Sequence, residues 1–459
     1  MIDFYKEVLK RGDEYIKYLG EWIEIPSIYD EDTANKYMPF GKEIGRSLKW
    51  FENLALKDGF RVKNDDGYAV HAEYGQGNDY VCAFGHADVV PVDDNWRTDP
   101  FKLTVNDGKA YGRGVVDDKG PILGCYMGLK IIKELNLPVK NSIRIIVGGN
   151  EENGFRCIRH YFSKEPQPKF GFTPDAKFPV IHGEKGVAIL EVSGTIKERI
   201  EIKAGTANNI IPSTIQIKLN TNYAYLKEKF MSYLYENNLN GDFKVNNYYI
   251  SIKVQGVGGH SSKPEKTVNP ITKLVSFLST NINTPLFWDL GKILFDNDYK
   301  GVGFGIYTSG KCGELTIVPT MFNINTDKIS LIFSIRYPEN ADLNSIKDKI
   351  TKYICKNLKG EYEIKLKNIK NPCYIEPDFI LVKKLHEIYI NHSEDLKSKV
   401  RVTSAGTYAS EMKNSVAFGA EFGDGSSGNV HSANEYMEVK RLFQSAAIYA
   451  HALYEMVNM

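Results

Sequence analysis

Five short polar segments of this chain contain the residue types that bind cations and move protons. Imidazole and carboxylate groups are ligands of transition metals, and a carboxylate also serves as a general base. If folding brings the segments together, they predict metal-assisted acid–base chemistry. The segments are GHAD at 85–88, DD at 117–118, EE at 151–152, PDA at 174–176 and VHS at 430–432.

His86 and Asp88 form the first candidate pair. In an extended chain, residues two apart lie on the same face, so the Asp88 carboxylate can reach the His86 imidazole and orient it. This arrangement is typical of a carboxylate-backed metal ligand, but it also fits a histidine that its neighbour satisfies without a metal. The pair by itself leaves both interpretations open.

Two pairs of adjacent acids follow along the chain. Asp117 and Asp118 end a glycine-rich loop that enters a helical pattern, where they can bind a cation or cap the helix. Glu151 and Glu152 stand just past an apolar run, and neighbouring side chains there point in different directions. One glutamate can therefore hold a metal while the other moves a proton, and the residues alone do not assign the two tasks.

The elements around these segments indicate an α/β fold. YVCAFGH and SIRIIVGG are short apolar runs typical of strands buried in a parallel sheet, and PILGCYMGLKIIKEL between them has helical spacing. Such alternation predicts a doubly wound, mostly parallel sheet, whose ligands lie at the carboxyl ends of the strands. Two of the polar segments follow those ends directly.

The pattern changes twice along the chain. After Gly186 the runs VAILEVSGT, STIQIKLNT and YYISIKVQG predict the strands of an α+β insert, and from Asp378 a long helical pattern predicts a return to the first domain. We therefore expect a catalytic domain at 1–186 and 376–459 with a lid domain inserted at 187–375. Two independent tandem domains are the alternative. The first residues, MIDFYKEVLKRGDEYIKYLGEW, predict one amphipathic helix.

Charge and composition exclude several classes of function. Among 459 residues, 58 Lys and Arg balance 57 Asp and Glu, so the chain has no broad field to attract nucleic acid or an anionic membrane. The six cysteines include no C-x-x-C pair, which argues against a zinc knuckle or a dense disulfide framework. No apolar run reaches the length of about 18 residues that a spanning helix needs. The sequence predicts a soluble cytoplasmic protein.

The motifs together resemble a known family. GHADVVP, GRGVVDDKGP, GNEENG, TPDAKFP and NVHSANE occur between residues 85 and 437. Their order is that of a di-metal peptidase family, which includes aminoacylases, glutamate-releasing carboxypeptidases, succinyl-diaminopimelate desuccinylase and dipeptidases. The chain is most similar to the peptidase V or Xaa-His dipeptidase branch. This resemblance implies a catalytic domain with an inserted lid.

Carried over motif by motif, the resemblance implies two bound cations per chain. Glu151 would be the general base that takes a proton from a water activated by the two metals, and Asp88 would support His86. Two imidazoles among the ligands favour a transition metal, zinc first, with manganese or cobalt as alternatives. One metal would be held by His86 and Asp175, the other by Glu152 and His431, and both would be bridged by Asp117.

The resemblance also implies residues that contact the substrate. His260 resembles the lid histidine that polarises the scissile carbonyl. Asn209 and Arg336 fall at family positions for substrate contact, and Arg336 could form a forked pair with a carboxylate. Thr407 lies in a segment similar to the family's G-G-T-Y-A stretch and could bind the terminal carboxylate. The long insert is similar to that of the branch whose members work as monomers.

Asp175 bears on the choice of substrate. At this position the resemblance associates aspartate with aminopeptidases and dipeptidases, whereas desuccinylases and carboxypeptidases usually have glutamate. It therefore implies hydrolysis of short, unblocked dipeptides as small-molecule substrates. The alternatives are an N-acyl amino acid deacylase of the same family and a binding protein without turnover. The presence of Glu151 argues against the second alternative.

Overall fold

The computed structural model describes residues 2–459, except for the side chain of Arg199. Within this range the chain forms two compact units. The first unit comprises the chain up to Glu184 together with Cys373–Met459, and the second unit is Lys185–Pro372. The boundaries lie a few residues before those expected from the sequence. The catalytic and lid roles of the two units remain predictions.

Helices occur in both units. None of those among residues 2–459 combines the length and the low charge that crossing a bilayer requires. In chain order they are α1 Phe4–Leu9, α2 Gly12–Ile23, α3 Lys42–Lys57, α4 Lys119–Glu134, α5 Arg156–Lys164, α6 Lys227–Glu236, α7 Pro270–Asn281, α8 Pro285–Ile293, α9 Leu343–Asn357, α10 Ile380–Ser393 and α11 Val439–Asn458.

Strands are likewise divided between the units. Those of the first unit are β1 Arg61–Asp65, β2 Ala69–Tyr74, β3 Tyr80–His86, β4 Thr104–Asn106, β5 Lys109–Tyr111, β6 Ser142–Gly148, β7 Phe170–Thr173, β8 Ala176–Lys177 and β9 Ile181–Glu184, then β20 Cys373–Tyr374, β21 Arg401–Thr403, β22 Ser415–Ala417, β23 Ala420–Glu421, β24 Ser427–Gly428 and β25 Tyr436–Glu438. Those of the second unit are β10 Gly186–Ala204, β11 Ile210–Ile211, β12 Thr214–Leu219, β13 Asn240–Val245, β14 Ile250–Gln255, β15 Gly259–His260, β16 Ser309–Gly310, β17 Gly313–Glu314, β18 Thr316–Tyr337 and β19 Tyr362–Lys370.

The main sheet of the first unit follows the order β1-β2-β6-β3-β7-β22-β9-β20, with β21 beside β9. β3 runs parallel to both β6 and β7, and β22 runs parallel to β7. Towards the edges, β1 pairs with β2, β2 with β6, and β20 with β9 in antiparallel fashion. The parallel centre that the sequence predicts is therefore present, and antiparallel strands extend it at both ends.

Neighbouring residues of β3 show that helices cover both faces of this sheet. The ring of Phe84 lies 5.7 Å from the ring of Tyr161 in α5. Gly85 faces the other way, where a Cβ atom would meet the Ile122 side chain of α4 at 2.8 Å. Since successive side chains of a strand point to opposite faces, α4 and α5 lie on opposite sides of the sheet. This is the doubly wound α/β arrangement that the sequence predicts.

The N-terminal segment differs from the single amphipathic helix expected there. The backbone of Arg11, at φ −113° and ψ 12°, leaves the helical region and separates α1 from α2. The Arg11 guanidinium donates a hydrogen bond of 2.9 Å to the Glu7 carbonyl in the last part of α1. The apolar periodicity continues across the break, and for this reason the sequence pattern predicts one helix where two exist.

The second unit is an antiparallel sheet with helices packed against it. Its strands follow the order β13-β14-β12-β10-β18, with β19 beside β10. β10 and β18 are long strands that pair from Gly186↔Tyr337 to Ala204↔Phe322. Apolar side chains of α7, α8 and α9 belong to the same buried cluster as those of the sheet. The unit therefore has the α+β architecture expected for the insert.

Candidate metal centre

Two parallel strands end side by side at the edge of the main sheet where the predicted ligands lie. In the register of β3 and β6, His86 is opposite Gly148, and the Ala87 N–H donates to the Gly148 carbonyl at 2.8 Å. The loop that contains Glu151 and Glu152 follows β6 directly. The imidazole and the two glutamates thus reach the same edge, as expected for the carboxyl ends of parallel strands.

Asp117 lies between two imidazoles. Its Oδ1 is 3.0 Å from Nε2 of His86, and its Oδ2 is 2.9 Å from Nε2 of His431. The two oxygens of one carboxylate therefore face one histidine each. A ligand that bridges two cations needs this division of its oxygens.

A second acid accompanies each imidazole. Asp175 Oδ2 is 3.8 Å from Nε2 of His86, and Glu152 Oε1 is 3.1 Å from Nε2 of His431. Each histidine, its acid and Asp117 form a triad in which the three possible ligand atoms lie within 4.8 Å of one another. The two triads share Asp117. We call the residues of both triads the ligand cluster: His86, Asp117, Glu152, Asp175 and His431.

The acids of the ligand cluster are crowded and shielded from water. Burial together with the charge of Asp117 raises the pKa of Asp175 well above its usual range and the pKa of Glu152 to about 7. Burial acts to lower the pKa of His431, but its contacts with Asp117 and Glu152 outweigh this and raise the pKa to about 11. Three carboxylates here repel one another, and a bound cation would relieve that repulsion.

The chemistry of the ligand cluster fits divalent transition metals. Glu152 Oε1 is buried and lies 3.1 Å from His431 Nε2, a nitrogen that also faces Asp117 and cannot satisfy both acids fully. A buried oxygen left in this state is costly unless another partner, such as a cation, is bound. Mixed nitrogen and oxygen donors suit zinc, manganese or cobalt, whereas magnesium prefers oxygen alone.

Asp88 serves two segments of the site. The nearest contact of His86 Nδ1 is the backbone carbonyl of Asp88 at 2.8 Å, whereas the Asp88 carboxylate is 3.5 Å away. That carboxylate accepts hydrogen bonds of 3.1 Å from the backbone N–H groups of Glu151 and Glu152. Asp88 therefore orients the imidazole mainly through its main chain and fixes the two glutamates through its side chain. The sequence predicts only the first of these contacts, and assigns it to the carboxylate.

Asp118 holds the backbone of His86, and Lys119 joins the start of α4 to the end of α2; the sequence predicts neither contact. Asp118 precedes α4 without capping it through its side chain; its Oδ2 instead accepts a 3.1 Å bond from the His86 N–H. Gly85 permits this approach, because a Cβ atom there would lie 2.1 Å from the same oxygen. The buried Lys119 ammonium donates to two backbone carbonyls near the end of α2, at 3.0 and 2.7 Å. A lysine at the start of a helix whose next ten residues are uncharged is the signal that could have identified it.

Thr407, which the sequence predicts to bind substrate, donates hydrogen bonds to Glu184 within the first unit. Its N–H donates to Glu184 Oε2 at 2.8 Å, and its hydroxyl donates to Oε1 at 2.6 Å. Glu184 is fully buried and so fixes the loop that carries Thr407. Both donors that the prediction offers to a substrate carboxylate are therefore already used within the protein.

The three predicted substrate residues of the second unit lie on connected segments. β11 pairs with β15, which ends at His260, and the Ser261 N–H donates to the Asn209 carbonyl at 2.9 Å. The Ser261 hydroxyl lies 2.9 Å from that of Ser334, two residues before Arg336 in β18. His260 and Asn209 are exposed, whereas Arg336 is buried, and this burial lowers its pKa to about 10. The second unit thus connects the three backbone segments.

The described residues contain one more set of acids with a histidine. His160 Nε2 is 3.6 Å from Asp65 Oδ2 and 3.5 Å from Asp66 Oδ2, and the three residues meet the same distance criterion as the triads. The Lys164 ammonium pairs with both acids. This set, Asp65, Asp66 and His160, is called the surface cluster below. It already contains a cation of its own.

Known proteins are similar to this chain in sequence and in fold. Residues 82–455 match the family described as peptidase family M20/M25/M40. A Bacillus subtilis (strain 168) protein described as "Putative dipeptidase YtjP" is 32% identical over 476 residues, covering 98% of this chain and 99% of that protein. The crystal structure of the M20 family metallo-carboxypeptidase Sso-CP2 from Sulfolobus solfataricus is similar, with a TM-score of 0.63, 17% identity and coverage of 97% of this chain and 100% of that one. Human carnosine dipeptidase 1 is similar with a TM-score of 0.59, 17% identity and coverage of 100% and 99%.

The fold and the ligand cluster define a hydrolase of the metal-dependent class. The family match covers most of the chain, and the similarity to the Bacillus protein extends along nearly all of it. The chain belongs to peptidase family M20/M25/M40 and is a metallopeptidase. The family resemblance found in the sequence motifs is thereby confirmed.

Proposed function

We propose that this metallopeptidase is a dipeptidase that hydrolyses short, unblocked dipeptides with two divalent transition-metal ions. The observation that carries the proposal is the Asp117 carboxylate, each oxygen of which faces one pair of a histidine and an acid. His86 and Asp175 would hold one ion, and Glu152 and His431 the other. Zinc is the first choice for these donors, with manganese and cobalt as alternatives.

Glu151 is the proposed general base. When bound, the two ions would supply Lewis acidity, which lowers the pKa of water and polarises a carbonyl oxygen. Glu151 is buried beside the ligand cluster, where its charge acts on both Asp175 and Glu152. Its backbone is fixed by Asp88. Its carboxylate would accept a proton from the attacking water and pass that proton to the leaving amine.

Further residues are proposed to contact the dipeptide. We propose that His260 polarises the scissile carbonyl of the dipeptide. Arg336 is proposed to bind the substrate carboxylate, because a planar guanidinium forms two parallel hydrogen bonds with a carboxylate. Asn209 would assist Arg336, whereas Thr407 is given no substrate contact because Glu184 already accepts hydrogen bonds from both its N–H and its hydroxyl. The descriptions of the Bacillus relative and of the human structure both name dipeptidases, which supports a short substrate.

The test is restoration of cleavage by metal. Metal-stripped protein is incubated with free and with N-acetylated dipeptides, before and after addition of Zn²⁺ or Mn²⁺. We expect metal-restored cleavage of the free dipeptides only. Cleavage restricted to the N-acetylated compounds would identify an N-acyl amino acid deacylase instead, and bound metal without cleavage of either would identify a binding protein.

We also propose that the protein acts as a cytoplasmic monomer. The long insert supports a monomer, and the absence of C-x-x-C pairs from the sequence is consistent with a reducing compartment. Light scattering of the metal-loaded protein tests the first point. A mass near 51.9 kDa agrees with a monomer, and twice that mass contradicts it.

A further inference from the structure

Glu435 is a buried carboxylate to which the proposed chemistry assigns no task. It is fully buried and lies four residues after His431, just before β25. Its Oε2 accepts a 2.7 Å hydrogen bond from the Arg113 guanidinium. Its Oε1 accepts hydrogen bonds from the backbone N–H groups of Val116 and Asp117, at 2.8 and 3.1 Å. The carboxylate therefore holds the main chain of the residue shared by both triads.

The donors around Glu435 come from one short segment. The Gly114 N–H lies 3.2 Å from both of its oxygens, in addition to the contacts with Arg113, Val116 and Asp117. Burial and the charge of Asp117 raise the pKa of Glu435, whereas Arg113 and the backbone N–H donors act in the opposite direction and favour the ionised carboxylate, with which hydrogen bonds are strongest. These contacts have to break before the Asp117 backbone can turn away, so its orientation depends on Glu435.

The same ion pair joins the two loops that carry Asp117 and His431. The Arg113 guanidinium, paired with Glu435, also donates to the Ser432 carbonyl at 3.2 Å. Ser432 directly follows His431, whose Nε2 meets Asp117 Oδ2 at 2.9 Å. One buried ion pair thus anchors both sides of the contact between these two ligands.

We infer that Glu435 is a positioning residue that sets the metal affinity of the whole ligand cluster. It acts through the Asp117 backbone and not through contact with a cation. Because Asp117 belongs to both triads, loss of the Glu435 charge weakens both ion positions. The inference rests on the metal centre of the proposed function but does not depend on the identity of the substrate.

The test compares the metal-loaded wild-type enzyme with Glu435→Gln, which keeps the size of the side chain and removes its charge. Zinc affinity is measured by competition with a chelator, and bound zinc per chain by elemental analysis. We expect about 10–100-fold weaker zinc binding, the range typical of residues that hold metal ligands in place. The matched control is Glu438→Gln, because Glu438 lies shortly after Glu435 and pairs with the exposed Lys440. The control should bind zinc as the wild type does.

Thermal unfolding separates positioning from general stabilisation. For each protein we measure how far added zinc raises Tm above that of the metal-free form, and we expect a smaller rise in Glu435→Gln. The double variant Glu435→Gln/Arg113→Met also removes the guanidinium left without its partner, and it serves if the single variant folds poorly. Its zinc affinity should remain weak.

Two results would overturn the inference. One is wild-type zinc affinity in Glu435→Gln or in the double variant. The other is an unchanged zinc-induced rise in Tm, which would show that Glu435 stabilises the fold alone. Wild-type protein that binds two ions but cleaves no dipeptide would reject the proposed function and leave the role of Glu435 standing.

Discussion

The ligand cluster and the surface cluster contain the same kinds of side chain, and both lie in the first unit. Each combines carboxylates and imidazole within 4.8 Å. In the surface cluster, the Lys164 ammonium pairs with Asp65 and Asp66 and neutralises part of their charge. In the ligand cluster, the ion pairs found among the described residues are those with His86 and His431. Because an imidazole binds a metal in its neutral form, the three carboxylates of the ligand cluster are then left to meet the charge of the cation.

The two clusters also differ in how their backbones are held. Exposure and backbone dihedral angles do not separate the clusters, because Asp66 (φ 52°) and His431 (φ 60°) both have exposed side chains and lie in turns. In the ligand cluster, backbone N–H groups of ligands are held by three buried carboxylates, those of Asp88, Asp118 and Glu435. The comparison teaches that suitable donor atoms are not sufficient for a metal site. In the ligand cluster the acids face imidazoles, which can bind a metal, and not a lysine, and buried carboxylates hold the backbone of the ligands.

Of the substitutions considered, Asp117→Asn should reduce metal binding and activity the most. Asparagine keeps the shape of the side chain but removes the charge that both triads share. We expect both ions to be lost on dialysis and dipeptide hydrolysis to fall by roughly 10³-fold or more, since even an outer partner of a ligand contributes 10–100-fold. Metal content and kcat/KM measure this. Asp66→Asn in the surface cluster is the matched control and should change neither; two retained ions in Asp117→Asn would contradict the shared role.

Substitutions of the adjacent glutamates should separate a proton carrier from a metal ligand. We expect Glu151→Ala to keep both ions and to lose about 10²–10⁴-fold in kcat, the usual contribution of a general base. Glu152→Ala should lose one ion. Activity and bound metal are measured on the same preparations. If Glu151→Ala loses metal while Glu152→Ala retains it, the two roles are reversed.

His71 extends the comparison to a buried histidine that belongs to neither cluster. Its Nδ1 lies 2.8 Å from the Tyr161 hydroxyl, and burial, together with the charge of Arg144, lowers its pKa from 6.5 to about 4. Glu73, at 3.8 Å, offsets only part of this. Between pH 6.5 and 4 the His71 imidazole is protonated in the unfolded chain and neutral in the folded protein. The contribution of His71 to stability is therefore full above pH 6.5 and is lost as the pH falls towards 4.

Urea unfolding of metal-free protein between pH 7 and 4.5 tests this expectation. Over that interval the free energy of unfolding of the wild type should fall by about 2–3 kcal/mol more than that of His71→Gln. The control is His386→Gln, at a partly exposed histidine of α10, which should follow the wild type. Equal pH dependence of the wild type and His71→Gln would show that His71 titrates alike in both states.

The smallest expected effect is the conversion of the surface cluster into a weak metal site. Lys164→Met removes the internal cation and leaves two carboxylates and an imidazole with unmet charge. Calorimetric titration with Zn²⁺ should then detect a weak third ion, which His160→Gln in the same background should abolish. The opposite outcome is a wild type that already binds a third ion, which is lost in the single variant His160→Gln. In that case Lys164 does not exclude metal, and the proposed difference between the clusters is wrong.

Much of the fold could be predicted because its signals are local. The apolar runs that became β3 and β6, and the helical spacing that became α4, are properties of a few neighbouring residues. The break at Arg11 could not be predicted, because the periodicity of the pattern continues through it. The candidate ligands were accessible since His86 and the Glu151–Glu152 pair follow strand ends, where parallel sheets collect polar groups.

By itself, the sequence determined which side chains have metal-binding chemistry and, through the order of its motifs, the family to which the chain belongs. Only the tertiary structure decided how those groups are held. In the folded chain the two Asp117 oxygens face different histidines. The Asp88 carboxylate accepts hydrogen bonds from the glutamate loop, and the Glu435 carboxylate accepts one from the Asp117 N–H. The physical reason is distance along the chain. The bond between Asp117 and Glu435 joins residues 318 positions apart, and no local pattern contains such a contact before the chain folds.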